Sequence, residues 1–318
     1  MTPFRVSIVI PTYNRSGILP NLLGSLEGLI VPDDTEWEIL VVDNNSRDAT
    51  RETVERHVKE ARIPLSYHFE KQQGSSHARN RGVRESKGEV IAFVDDDVTV
   101  DPGWLKSVKG FFERNECIGM GGRVLAVGTE NLPKWVRLEG PYKIIGVTVR
   151  HDMGNEYRRY ETGMIMPISA NLALRRTAFE KHGFFRTDLG RGADLSIVAG
   201  EDTELCLRLL GNGETLMYSP DAVVYHPIDK ERISKRYCRR FYFWLGQGFV
   251  KRQEGPVGGT RILNVPVYLF RDAFLNMVKI LTASLTLDFG RGFYHQLHLI
   301  LTAGKIYQSF LIRKPGRI

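Results

Sequence analysis

One pattern constrains this chain more than any other, an alternation repeated four times within its first hundred residues. Short apolar runs at residues 6–10, 39–42, 65–69 and 90–94 are each followed by a segment with helical spacing. Such repetition predicts βαβ units around a mostly parallel central sheet flanked by helices, an α/β fold. Ile18, Leu19, Leu22, Leu23, Leu26 and Leu29 form the first helical stripe. Asp48 stands where it can cap a second helix running to about Ala61, with Glu52 and Glu55 in its early turns. A third helix is predicted over 76–86, and Pro102 opens a fourth near its first turn. The fourth apolar run is five residues without interruption, as a strand buried on both faces requires, and it ends abruptly in Asp95-Asp96-Asp97.

Open sheets of this type bind ligands beyond the carboxyl ends of their strands, and polar segments follow all four runs. They are Pro11-Thr12-Tyr13-Asn14-Arg15, Asp43-Asn44-Asn45-Ser46, the stretch from Gly74 through Arg79 and Arg81, and the three aspartates. Tyr13 offers a flat face for a base, Asp43 an acceptor for an imino N–H or a hydroxyl, and the two arginines guanidinium groups for phosphate. That inventory suits a nucleotide, although Arg79 and Arg81 read equally well as helix-surface charges. Three adjacent carboxylates raise one another's pKa unless something positive lies among them. Asp95 and Asp97 can face one side, and their hard oxygens suit Mg²⁺ or Mn²⁺ bridging to a diphosphate; the plain alternative is a solvated acidic turn. Neither G-x-x-x-x-G-K-[ST] nor a G-x-G-x-x-G after the first strand is present, which argues against a P-loop enzyme and a dinucleotide dehydrogenase.

From about residue 118 the pattern loosens into short strands and glycine-rich loops, with Gly119, Gly121 and Gly122, then Leu172-Ala-Leu174 and Gly190-Arg-Gly192. Order returns with a helix over 201–210 and two short strands around 216–218 and 223–225. Taken alone, Glu201-Asp202 is an ordinary acidic helix start, where unpaired N–H groups favour the ionised form of Asp202. His226 reads either as a metal ligand or as a buried, satisfied histidine. Trp104, Trp135 and Trp244 fit core or helix packing better than sugar stacking.

Six short motifs in order resemble the inverting, GT-A-fold glycosyltransferases of family 2 over roughly residues 5–227. They are Val9-Ile-Pro-Thr-Tyr-Asn-Arg15, Val42-Asp-Asn-Asn-Ser46, the segment from Gly74 ending in Ala-Arg-Asn-Arg-Gly82, Phe93-Val-Asp-Asp-Asp97, Ser169-Ala-Asn-Leu-Ala-Leu174 and Gly200-Glu-Asp-Thr-Glu204. The resemblance implies that Asp202 is the catalytic base, with Glu201 beside it. It implies that Thr12, Tyr13 and Asp43 line the base and ribose site. Pro11, Asn14, Arg15, Asn45, Gly74, Arg79, Arg81, Asp95 and Asp96 complete the donor contacts. Asp97, with Asp95 and His226, is implied to hold a divalent metal, Mn²⁺ or Mg²⁺. Ser169 departs from the family, where glycine is commoner. The expected reaction moves a single sugar from a nucleoside-diphosphate sugar, uridine-linked, to a glycan or lipid-linked acceptor in cell-surface polysaccharide or glycolipid assembly. A processive synthase would want Q-x-x-R-W after Asp202 and several membrane spans, and the sequence has neither. The rival from another class is a catalytically silent scaffold of the same fold that docks through its C-terminal helices.

Charge points to those helices. Residues 232–318 carry 15 Lys and Arg against Glu254, Asp272 and Asp288, a net +12 in a chain of net +7, which leaves 1–231 at −5. Cations alternate with aromatics over 231–253, and the apolar stretches 265–287 and 292–312 are broken by Arg271, Asp272, Lys279, His295, His298 and Lys305. This predicts helices lying on a membrane surface with Phe270, Phe274, Leu281 and Leu285 toward lipid and Lys279 away from it; packing on protein, including a second copy in a homo-oligomer, is the alternative. Nothing resembling a nucleic-acid reading module accompanies the basic residues, so nucleic acid is not an expected partner. The expected division is a catalytic domain over 1–230, with a nucleotide half to about 117 and an acceptor half over 118–230, and a basic helical extension over 231–318. Cys117, Cys206 and Cys238 form no C-x-x-C pair, which suggests neither a disulfide framework nor a zinc site. With no signal-peptide pattern before the first strand, the expectation is a cytoplasmic protein, peripheral on the inner membrane face.

Overall fold

The computed structural model describes residues 3–191, 197–198, 200–252 and 259–311. Gly192, and Glu254, Arg313, Lys314 and Arg317 of the charged tail, lie outside them. In chain order the first elements are β1 (Phe4–Thr12), α1 (Leu19–Glu27), β2 (Thr35–Asp43), α2 (Thr50–Glu60), β3 (Leu65–Phe69), α3 (Ser75–Glu85), β4 (Val90–Val94), β5 (Thr99–Val100), α4 (Trp104–Arg114) and β6 (Gly119–Val127). There follow β7 (Arg158–Arg159), β8 (Asn171–Arg175), α5 (Arg176–His182), β9 (Gly190–Arg191), β10 (Ile197–Val198), α6 (Glu201–Gly211) and β11 (Leu216–Pro227). The C-terminal part holds α7 (Lys235–Arg252), β12 (Arg261–Ile262), β13 (Val265–Pro266), α8 (Val267–Leu285) and α9 (Phe289–Leu311).

Two compact units divide the chain: residues 1–127 with 149–187 and 201–227, and residues 128–148 with 188–200 and 228–318. The first is built on one sheet of order β3-β2-β1-β4-β8-β6-β11-β5, with β7 beside β11. The four strands β3, β2, β1 and β4 run parallel. Beyond them the sheet is mixed, because β8 is antiparallel to both β4 and β6. Since β6 and β11 are mutually parallel, β1, β2, β4 and β11 all end at one edge.

Alternation along β1 explains the two cores. Val6, Ile8 and Ile10 pack with the α1 leucines, Trp104 and Phe111 on one face. Val9 faces the other way, with Val42, Phe93, Phe179, Leu205 and Leu209. Helix α3 lies so close to β1 that a Cβ at Gly82 would collide with the Val9 side chain. The two strands expected after residue 215 are a single strand, β11, whose pairing with β6 slips between Ser219 and Val223. Pro220 has no N–H to give to a ladder, so the strand bulges there and continues.

In the second unit Ile144, Val147, Cys238, Tyr242, Phe293 and Leu297 form the core. Glycine lets α7 and α9 touch along their backbones: a Cβ at Gly246 would strike the Leu301 carbonyl, and one at Gly304 the Phe243 carbonyl. By contrast α8 buries only Leu269 and Ala283 and exposes Phe270, Phe274, Leu281 and Leu285. No described helix is long and apolar enough to cross a membrane.

The contact between α3 and β1 yields a test. Gly82→Ala should lower stability by about 1–3 kcal/mol, the usual cost of overpacking. Val9→Ala in the same chain should recover part of that loss, as read from urea-unfolding midpoints.

Candidate active site

The three consecutive aspartates after β4 each meet a basic side chain from a different segment. Asp95 Oδ1 lies 3.4 Å from Arg79 Nη2 of α3, Asp96 Oδ1 3.6 Å from Arg15 Nε of the β1–α1 loop, and Asp97 Oδ1 3.2 Å from His226 Nε2 near the end of β11. The crowding that sequence reasoning assigned to a bound cation is thus relieved in part by the protein's own side chains. Relief is incomplete at Asp96, whose carboxyl is pushed up to about 7 by burial and by Asp97, against the pull of Arg15.

Ligand atoms of Asp95, Asp97 and His226 all lie within 4.8 Å of one another. His226 is buried, with Nδ1 2.8 Å from the Pro227 carbonyl. A ring nitrogen that near a carbonyl donates to it, which leaves the lone pair of the neutral ring on Nε2, facing Asp97. Nε2 has no aligned hydrogen-bond partner among the described residues. Burial works against a charge on this ring, yet Asp97, the Pro227 carbonyl and Asp95 outweigh it and raise the His226 pKa above the usual imidazole value. Two carboxylates and an imidazole nitrogen pinned through its other nitrogen form a donor set that fits a divalent cation.

Arg79 joins this cluster to the Glu201-Asp202 pair. It is 5% exposed, and its Nη1 lies 2.8 Å from Glu201 Oε1 while Nη2 reaches Asp95. Burial opposes its charge, but Glu201, Asp95 and Asp202 together hold its pKa above the ordinary arginine value. Glu201 is itself buried and accepts a second hydrogen bond from Ser75 Oγ at 3.1 Å. Asp202, in the first turn of α6, accepts from the backbone N–H of Thr203 at 2.7 Å and of Ser169 at 3.2 Å. The helix-start amides favour its ionised form as expected, but they do not win. Burial and the adjacent Glu201 carboxylate push the Asp202 pKa up, past the opposing effects of Arg79 and the two amides.

The β1 and β2 ends are braced against each other. Asn14 and Asn45 sit in the left-handed region, at φ 53° and 64°, which asparagine tolerates better than most residues. Asn14 N donates to Ser46 Oγ at 2.9 Å, Arg47 N to Asn14 Oδ1 at 2.8 Å, and Arg15 N to Thr50 Oγ1 at 2.9 Å. Asp48, expected to cap α2, stands one residue before its cap position, Ala49, and accepts from Thr50 N and from Ser16 of the other loop. Asp43 is buried, receiving Ser46 N on Oδ1 and the Tyr67 hydroxyl on Oδ2, each at 2.9 Å. Thr12 is buried beside it, paired in register across β1 and β2, and its hydroxyl lies against the Asp96 carboxylate, which it helps to keep ionised. Pro11 and Tyr13 flank Thr12 in the same segment and are half-buried.

Sequence reasoning passed over three residues that set this geometry. Asn44 donates to the Glu70 and Gln72 carbonyls and accepts from Gly74 N at 2.7 Å, so it fixes the turn into α3 where Gly74 adopts φ 142°. Asn80 binds both the N–H and the carbonyl of Phe185. Ser75 supports Glu201. All three stand inside the motifs already noted, but their neighbours carried the charge and drew the attention. Arg81 stands apart from the carboxylates and pairs with Glu85 at 2.8 Å on the helix surface.

Comparison with known proteins places this geometry in context. The family model described as Glycosyl transferase family 2 matches residues 7–183. The succinoglycan biosynthesis protein ExoM of Rhizobium meliloti is 27% identical over 76% of this chain and 73% of its own length. A glucosyl-dolichyl phosphate glucuronosyltransferase of Haloferax volcanii is 24% identical over 78% of this chain and 76% of its own. Among solved structures, the mannosyltransferase PcManGT of Pyrobaculum calidifontis, in complex with GDP-Man and Mn²⁺, superposes with a TM-score of 0.64 at 19% identity, over 96% of this chain and 87% of that one. S. aureus TarS 1–349 in complex with UDP-GlcNAc gives 0.55 at 18%, over 79% and 72%. These likenesses establish the GT-A fold.

Arg79→Met removes the guanidinium that reaches both carboxylate groups. It should destabilise the chain by about 3–5 kcal/mol, because a buried ion pair loses its cation. Equilibrium urea unfolding reads that loss.

Proposed function

The chain belongs to glycosyl transferase family 2, and from that premise we propose that it inverts the donor's anomeric centre while adding one sugar to a glycan or lipid-linked acceptor in cell-surface polysaccharide assembly. It is a glycosyltransferase that draws on a nucleotide-activated sugar. The finer reading is a uridine-linked donor, bound by Pro11 to Arg15, Asp43, Asn45, Gly74, Arg79, Asp95 and Asp96 in a nucleotide half over 1–117. The acceptor lies against 118–230, and residues 231–318 rest on the inner face of the cell membrane. The relative from Rhizobium meliloti is named for succinoglycan biosynthesis, which supports the polysaccharide setting. The observation that carries the reading is Arg79, whose one guanidinium lies within reach of both Asp95 and Glu201.

The chemistry follows from these positions. Asp202, its pKa raised, is placed to take the proton from an acceptor hydroxyl as that oxygen bonds to the anomeric carbon. The bond from that carbon to the diphosphate breaks on the opposite side, and the departing oxygen keeps the electron pair. Ser169 N and Thr203 N hold the Asp202 carboxylate in one orientation. Glu201, tied to Arg79 and Ser75, positions its neighbour. Asp95, Asp97 and His226 would hold Mn²⁺ or Mg²⁺, which when bound neutralises charge gathering on the diphosphate.

Asp202→Asn should reduce transfer by about 10²- to 10⁴-fold while nucleotide affinity stays unchanged, measured by release of nucleoside diphosphate and by calorimetry. Retained turnover would remove Asp202 as the base. Because the base must be ionised, kcat/KM should fall as pH drops through a value above the ordinary aspartate pKa of about 4. Asp97→Ala should abolish the gain in nucleotide affinity that Mn²⁺ brings, and an undiminished gain would count against the metal site.

A further inference from the structure

The second unit contains a cavity of about 480 Å³ between α8, α9 and the segment at Tyr142, remote in sequence from every motif noted above. Its lining is unusual in charge. Lys279 from α8 and Arg291 and Lys305 from α9 face into it, opposed among the described lining residues by a single acid, Asp272. His295, 6% exposed, and His298 stand between them. Arg291 Nε is buried without a hydrogen-bond partner among the described residues. The Arg291 guanidinium sits 5.8 Å from the centre of the Tyr142 ring, and the Lys305 ammonium 4.8 Å from that of Phe249. Aromatic faces thus flank the cations, and the acids nearest them are Asp288 beside Arg291 and Asp272 beside Lys305.

Such a group repels itself. Burial, then the repulsion of Lys279 and Arg291, lowers the His295 pKa; burial, then His295, Lys305 and Lys279, lowers that of His298. Burial also lowers the Lys305 pKa, opposed by Asp272 and reinforced by Arg252. A multivalent anion would relieve the mutual repulsion, though not the burial, and would meet charged donors at several corners. The surroundings indicate which anion. Helix α8 carries Asp272, Asn276 and Lys279 on the cavity side, and exposes Phe270, Phe274, Leu281 and Leu285 elsewhere on its surface, the last at 85%. A cationic cavity roomier than a single phosphate, on a helix whose opposite face is apolar and uncovered, matches an amphiphile with a phosphate head and a hydrocarbon tail.

We propose that this cavity binds the terminal phosphate or diphosphate of an anionic lipid, with Arg291 and Lys305 as its inner donors, Lys279 at its mouth, and the exposed face of α8 resting in the acyl region. The assignment deepens the membrane-surface reading and rests on it.

Co-sedimentation of the full chain tests it, using phosphatidylcholine vesicles doped with phosphatidic acid, whose phosphate is terminal, or doped to equal surface charge with phosphatidylglycerol, whose phosphate is not. The wild-type chain should prefer phosphatidic acid by about tenfold or more, as several charge-assisted hydrogen bonds allow. Inorganic pyrophosphate should displace it. The preference should vanish in Arg291→Gln/Lys305→Gln and weaken in Lys279→Gln, an exposed site that leaves folding intact, while Arg236→Gln, a surface cation outside the cavity, keeps it. Equal binding of both vesicles by the wild-type chain, or a preference that survives the double variant, overturns the cavity assignment and leaves the membrane-surface reading standing. Binding to neither vesicle overturns both. Calorimetric binding of inorganic pyrophosphate without any vesicle preference overturns the lipid as the source of the phosphate.

Discussion

The structure of the site depends on one buried guanidinium. Arg79 lies between a carboxylate that follows β4 and another that opens α6, two groups more than a hundred residues apart in sequence. Glu201 is buried and Asp95 half-buried, and taking the cation out of a buried pair costs several kcal/mol. The fork geometry of arginine matters as much as its charge, because two nitrogens serve two acids at once, which an ammonium on a flexible stem does less well. Packing in turn holds Arg79 still: Gly82 lets α3 approach Val9, and Asn80 ties the helix to the backbone at Phe185.

From this follows the arrangement of the aspartate triplet. Consecutive side chains that would repel are dealt to three partners, Arg79, Arg15 and His226, supplied by a helix, a loop and a late strand. The strands that deliver them end on one edge of the sheet because β1, β2, β4 and β11 share a direction. Topology, rather than any local motif, therefore determines that residue 226 meets residue 97.

Much of the first half was legible in the sequence for a physical reason. Uninterrupted runs such as Val90 to Val94 have no way to fold except as buried strands, and the polar segments after them fall at the ligand-binding edge by rule. The polar segments gathered at that edge were therefore readable, down to Asp43 and the aspartates. What escaped were properties that depend on the third dimension. Nothing in Asn171 to Arg175 declares that β8 runs against its neighbours. The two short strands expected around 216–218 and 223–225 are one strand with a bulge at Pro220. The helix-start amides around Asp202 were visible, but its burial beside Glu201, which reverses the balance of its ionisation, was not. Asn44 and Asn80 act through backbone hydrogen bonds to distant loops, for which a sequence carries no signature.

In the proposed reading Asp95, Asp97 and His226 would hold a divalent cation at the donor diphosphate. Anomalous diffraction at the manganese edge from crystals grown with Mn²⁺ and a nucleoside diphosphate tests this most directly. The account predicts one strong peak about 2.0–2.2 Å from Asp97 and His226 ligand atoms. A peak elsewhere on the chain, with that histidine and aspartate still facing each other undisturbed, would contradict it.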